Sequence, residues 1–197
     1  MLSAIEAIAA LKDRLEREKE LPVRAVRVTP VDAKELRRLE STLGKVLPEA
    51  YLQFITQHGL FCATNWRGME RARMLSPAEV LERHEWNKEF VEEDSFGDGE
   101  EEKEAARREL EVRRRLVPFQ YIADSYVSDF YSFDTELCRA KGALIMQAYH
   151  DDFDLATWLL DETPDLSGCT FDFDEHMRWV LRECLEEGSW GRMDKAG

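Results

Sequence analysis

The side chains most able to do chemistry are few and scattered. His58, His84, His150 and His176 are the four histidines, and none stands in the H-E-x-x-H spacing that sets two imidazoles on one helix face around zinc. His150 precedes Asp151, Asp152 and Asp154, oxygen ligands suited to a hard cation, but the glycine and closing glutamate of a calcium loop are missing. The run reads as an acidic turn, and no metal is expected. Cys62, Cys138, Cys169 and Cys184 form no C-x-x-C pair, which removes zinc-knuckle and compact disulfide readings. Cys62 follows Phe61, and Cys184 falls on the apolar face of a helical pattern, so buried free thiols are expected in place of nucleophiles, as in a reducing compartment. G-x-S-x-G, G-x-G-x-x-G and phosphate-loop signatures are absent. With 41 acids on the chain a glycosidase-like carboxylate pair could be drawn almost anywhere, and such a pair is defined by distance, not by sequence. The expectation is a chain that is not an enzyme and carries no cofactor.

Charge is the stronger signal. The net charge is −14 over 197 residues, and it is unevenly placed. Residues 116–177 hold 13 acids, from Asp124 to Glu175, against Arg139 and Lys141 alone, which is −11 of the total. Such a segment repels nucleic acid and anionic membrane and attracts a basic protein surface in a salt-dependent way. A solvated acidic surface that only keeps the protein soluble is the plainer reading of the same composition. The start of the chain has neither the basic residues nor the apolar run of a secretory signal, and no stretch approaches the roughly 20 apolar residues that span a bilayer. A cytoplasmic location is expected.

The elements that must position these residues can be read from periodicity and caps. Leu2, Ile5, Ala9, Leu11 and Leu15 describe an amphipathic helix ended by Pro22, and Val23, Ala25 and Val28 a short strand. Asp32 caps a helix with Leu36, Leu39 and Leu43 on one side, stopped at Gly44 in a left-handed end. Pro48 suits the first position of the next helix, which presents Tyr51, Leu52, Phe54 and Ile55 and ends at His58-Gly59. A strand or two with Gly68 at a turn lead to Ser76-Pro77-Ala78-Glu79, a capping-box start for a helix to about Val91 that buries Val80, Leu81 and Trp86. The composition of Glu92 to Glu104 reads as a mobile acidic loop, and Arg107 to Arg115 as a charged surface helix. Strands follow at Val117-Pro118-Phe119, Tyr126 to Phe133, Ala143 to Tyr149 and Ala156 to Leu160, joined by turns such as Lys141-Gly142. A helix from Asp174 to Glu187 uses Met177, Val180, Leu181 and Cys184. With no βαβ alternation, the expected class is α+β, a single domain with an antiparallel or mixed sheet of about four to six strands against several helices.

This order, and particular residues within it, resemble the SUKH superfamily, which includes fungal cell-wall-synthesis regulators and bacterial immunity proteins of toxin systems. The resemblance is carried by Leu36, Leu39, Glu40 and Leu43, by Gly44-Lys45-Val46-Leu47-Pro48, and by Tyr51-Leu52-Gln53-Phe54-Ile55 leading to His58-Gly59. Ser76-Pro77-Ala78-Glu79-Val80, Val117-Pro118-Phe119 and the tail helix extend it. It covers residues 32–187, with an N-terminal helical extension at 1–31, a charged insertion at 92–115 and a frayed tail at 188–197. The family commonly has Asn-Gly where His58-Gly59 stands. The resemblance implies a binding domain without catalysis, often one that caps a cognate toxin, and gives Leu47, Pro48, Tyr51, Phe54, Gly59 and Pro118 roles in the fold.

The functional expectation is therefore an immunity protein that binds and neutralises a basic toxin, for instance a nuclease. It would act as a monomer or weak homodimer, without nucleic acid or membrane. The alternative is a regulatory or scaffold module with several protein partners. Interfaces favour aromatic side chains beside charge, so the expected partner surface is Asp124, Asp129, Tyr131, Asp151, Asp152, Phe153 and Asp154. Strand alternation places one of Phe130 and Tyr131 inward and the other outward.

Overall fold

The computed structural model describes residues 3–18, 23–65, 67–89, 99–123, 128–139, 142–148, 159–160, 166 and 169–185. These residues form one α+β unit of six helices and a six-stranded antiparallel sheet. In chain order they are α1 (Ala4–Arg17), β1 (Val23–Thr29), α2 (Ala33–Leu43), α3 (Glu49–Gln57), β2 (Leu60–Asn65), β3 (Glu70–Met74), α4 (Pro77–Glu89), α5 (Glu100–Arg115), β4 (Leu116–Ala123), β5 (Ser128–Arg139), β6 (Gly142–Ala148) and α6 (Phe173–Leu185). The strands lie in sequence order, β1 to β6, so every neighbour in the sheet is also the next strand along the chain. β1 and β6 are the edges.

Helix starts follow the local chemistry. Ser3 and Glu6 make a reciprocal capping box at α1, Asp32 accepts from the N–H groups of Lys34 and Glu35 at α2, and Ser76 and Glu79 repeat the box at α4. Such caps are each worth about 1 kcal/mol. Several ends differ from expectation. Gly44 keeps right-handed helical angles, because Leu43–Val46 continue as a tight turn into α3. Pro48 is the residue before α3 and not its first helical residue. α1 stops at Arg17, ahead of Pro22, which lies outside the described residues. Gly59, by contrast, has φ +102 and passes so close to the Thr29 carbonyl that no side chain fits.

One face of the sheet is closed by α1, α3 and α6. Register puts Phe61, Ala63, Ala72, Met74, Phe133 and Ile145 on it, where they join Tyr51 of α3 and Phe173 and Met177 of α6 in the main core. α1 and β1 belong to this same core through Ala4, Ile8, Leu11 and Val23, and the Ala4 N–H donates to Asp174 of α6. Pro118 has no N–H to give the ladder, and the strand bulges just after it. The bulge lets two successive side chains serve the same face. Phe119 stacks on Phe133 at 3.9 Å, and Gln120 reaches His176 of α6.

The opposite face is covered at the β4–β6 end by α5, whose Val112 packs with Leu116, Leu144, Met146 and Leu159. α5 differs from the expected surface helix in two ways. It begins at Glu100, inside the stretch expected to be a loop, and it buries charge. Glu109 is 1% exposed and its carboxylate accepts from Arg113 one turn on at 2.7 Å. Arg115 lies 3.0 Å from the fully buried Asp134 and 3.3 Å from Glu136. Composition reads arginine and glutamate as solvated, but the one-turn spacing and the strand beneath supply each with a counter-charge. Asp134 is held on its other oxygen by the Glu136 and Leu137 N–H groups, where β5 departs from regular pairing.

Further corrections concern single residues. Trp86 is 41% exposed, and its expected place in the core of α4 is taken by His84, which hydrogen-bonds the Leu116 carbonyl. Ala9 of α1 is exposed, and Ile8 is buried. Cys138 is exposed and Cys62 and Cys169 half-buried, so these three cysteines, none in a disulfide, are not fully enclosed. Leu159 is helical and Leu160 lies in a turn, which does not fit a strand ending there; 156–158 lie outside the described residues.

Candidate functional site

The stretch Cys169–Asp172 sets up the site. Thr170 pairs with Ile145 on the outer edge of β6, its hydroxyl donates to Glu175 at 2.8 Å, and Asp172 caps the first turn of α6 by accepting from the Glu175 N–H. Helical spacing then divides α6 into two stripes. Phe173, Met177, Val180 and Leu181 enter the core. Glu175, Arg178, Trp179 and Arg182 line a cleft of 630 Å³ whose other wall is Tyr131 and Gln147 of β5 and β6. That volume falls in the range of small-ligand and side-chain recognition sites.

His176 sits between the stripes. It is 3% exposed, donates from Nε2 to Gln120 Oε1 at 2.7 Å, meets Tyr131 edge-on at 4.6 Å and lies nearly parallel to Trp179. Burial pushes its pKa down to about 3, so the ring is neutral at pH 7. A general base works best with a pKa near the operating pH, and the Nε2 hydrogen bond further commits His176 to holding the cleft's aromatic wall. Tyr131 stands edge-on to Trp179 at 5.7 Å, and its hydroxyl donates to Gln147 at 3.3 Å. The wall is thus a packed aromatic unit with one open member, Trp179, 37% exposed.

Of the expected partner surface, only Tyr131 has a described side chain. It is 5% exposed and turned toward α6, so it is the inward member of its pair, and Phe130 is the more open one, under the Arg83 guanidinium. Asp124, Asp151, Asp152, Phe153 and Asp154 lie outside the described residues, and of Asp129 only the backbone in β5 is described. The acidic segment is not uniformly solvated. Asp134 and Glu136 face Arg115, Asp172 and Glu175 build the entry to α6, and Asp174 fastens α1. Leu47, Pro48, Tyr51, Phe54, Gly59 and Pro118 are all buried.

No family model matches this chain, and no curated protein matches it. The site is therefore read from its own chemistry. Among the described residues, no group of three or more His, Cys, Asp or Glu could hold a metal ion, and no helix is long and apolar enough to cross a membrane. Burial and the Glu70 carboxylate raise the Cys62 thiol, the reverse of what an activated nucleophile requires. A second groove of 520 Å³ runs beside Leu47 and Pro48 to Cys138 and Gly142, but it is shallow and open. The α6 cleft was invisible to sequence reasoning, because Arg178 and Arg182 follow the acidic segment as two isolated charges. The signal that could have found them is their spacing with Glu175 and Trp179, opposite the apolar stripe.

Proposed function

We propose that this chain is a protein-binding domain of SUKH type that acts without catalysis, as an immunity protein holding a basic toxin. The observation that carries the reading is the α6 cleft: tyrosine, tryptophan and arginine, the side chains most frequent at binding hot spots, gathered beside an edge strand. The succession α2, Leu47-Pro48, α3, two strands, a capping-box helix, antiparallel strands and α6 is in keeping with the family resemblance. The −11 carried by residues 116–177 would speed encounter with a basic partner. An intracellular site of action goes with this reading.

The test is affinity capture of the tagged protein from its native cells at low and moderate salt, with mass spectrometry of what stays bound. One stoichiometric, basic partner that is toxic when expressed alone is expected. Reversing Asp151, Asp152 and Asp154 to lysine should weaken that complex and flatten its salt dependence, and unchanged affinity would remove this segment from the interface. Several weak partners would favour a regulatory module. For that alternative the discriminating change is reversal of the exposed Arg107 and Arg108 to glutamate, because Glu109 to Arg115 are built into the fold and removing 92–115 would unmake it.

A further inference from the structure

β1 ends the sheet without the devices that usually close an edge. We propose that it is the surface through which two copies of this chain join, strand to strand, so that their two sheets become one. The proposal goes beyond the immunity reading and does not depend on it. β1 pairs with β2 alone, and from Ala25 to Thr29 that pairing is regular, its one irregularity falling between Val23 and Ala25. Among the described residues, no backbone group of Ala25–Thr29 bonds to anything beyond β2. Alternate N–H and C=O groups therefore face outward as a template for another strand. No proline interrupts β1. Val26 and Val28 pack against the main core but stay half-buried at its rim, and a further strand would complete their cover.

The occupant is a second copy because β1 is complementary to itself. A two-fold axis through Val26, the midpoint of Val23–Thr29, sets Val26 opposite Val26 of the second copy, Ala25 opposite its Arg27, and Arg24 opposite its Val28. Every residue of the strand then has a counterpart, and no two arginines face each other, as an axis through Arg27 would force them to. Charge selects the same edge. Residues 1–31, which supply α1 and β1, hold six Lys/Arg against five Asp/Glu, whereas β6, the other edge, lies in the segment that carries −11. Joining at β6 would bring two such segments together. Joining at β1 keeps the two β6 edges ~50 Å apart, several times the screening length in physiological salt. The outer side of β6 is also partly taken, since Ile145 exchanges backbone hydrogen bonds with Thr170.

The test is sedimentation equilibrium of the full chain at concentrations up to the millimolar range, where a reversible monomer–dimer equilibrium is expected. Ala25→Glu would face Arg27 of the second copy on both sides of the axis and should tighten the dimer about 5-fold, a gain that high salt removes. Ala25→Lys should weaken it by about as much. Val26→Cys should link two copies through position 26 under oxidised glutathione, because opposed Cα atoms lie ~4.5–5.5 Å apart. Thr29→Cys, ~20 Å from the same position in the second copy, should not. Peptide mapping separates such a link from any made by the native cysteines. Should a residue-25 variant unfold, linkage at position 26 decides. A monomer at every concentration would overturn the inference, as would a dimer that ignores residue 25 and leaves position 26 unlinked. If the β1 amides gain hydrogen-exchange protection only when a captured partner protein is added, the edge belongs to that partner and the inference fails.

Discussion

Replacing His176 with glutamine should remove most of one proton's worth of acid sensitivity from the fold. In the native protein burial holds the His176 pKa near 3, against 6.5 for the ordinary side chain. Above pH 6.5 the ring is neutral folded or unfolded, and titration contributes nothing. Below it the unfolded chain binds a proton that the native cleft refuses, so stability falls with pH until the native ring also protonates near 3. At pH 5 the unfolded state has gained about 1.5 pH units of protonation, which lowers stability by about 2 kcal/mol relative to pH 7. That is a large part of the 5–15 kcal/mol typical of a domain. Glutamine can still exchange a hydrogen bond with Gln120 but does not titrate. The variant should be weaker at pH 7 by about 1–2 kcal/mol through lost ring contacts, yet lose about 2 kcal/mol less between pH 7 and 5. The assay is urea unfolding at both pH values, followed by tryptophan fluorescence. His84, also lowered by burial, is present in both proteins and cancels in the comparison. Parallel loss of stability in the two proteins would refute the assignment of a neutral, enclosed His176.

Other outcomes follow from the packing. Arg115→Ala leaves Asp134 buried without its counter-charge and should cost about 3–5 kcal/mol in urea unfolding, while Arg115→Met with Asp134→Leu should recover much of that loss. The Glu136 and Leu137 N–H groups that Asp134 serves will keep the recovery incomplete. Gly59→Ala places a side chain against the Thr29 carbonyl at φ +102 and should lower stability by more than ~2 kcal/mol. Gly68→Ala, at φ +76 but in open space, should cost only about 1 kcal/mol by the same measurement. Ser76→Ala should cost about 1 kcal/mol through loss of the α4 cap.

What the sequence disclosed was local chemistry. Asp32, Ser76 with Glu79, and Gly59 each state their local role within a few residues, and the change from helical to strand periodicity after Leu116 gave the class and an antiparallel or mixed sheet, which is antiparallel throughout its six strands. What it hid depends on partners distant in sequence. Glu109, Arg113 and Arg115 read as solvent-facing until the β4–β6 surface, with Asp134 facing Arg115, is placed beneath the helix. Trp86 looks like core by size, yet α4 turns His84 inward because the Leu116 carbonyl offers it a hydrogen bond. The cleft is the extreme case: Tyr131, Gln147, Thr170 and Arg182 come from separate elements, and no window of sequence contains them together. Pro118 reads in the sequence only as part of a strand; the bulge after it, which aims Phe119 and Gln120 at one face, needs the register of β4 on β5.

The fastening of α1 to α6 has a consequence for how the molecule comes into being. The apolar stripe of α1, with Ala4, Ile8 and Leu11, is made about 170 residues before the helix it packs against, as the Ala4–Asp174 hydrogen bond attests. At ribosomal speeds of about 5–20 residues per second, that stripe waits roughly 10–30 s for its cover. The sheet can grow strand by strand in the meantime, since each β-strand pairs with the one just before it. Closure belongs to the pairing of α1 with α6, so a nascent chain would expose the apolar stripe of α1 until α6 has emerged, and chaperone dependence should concentrate there.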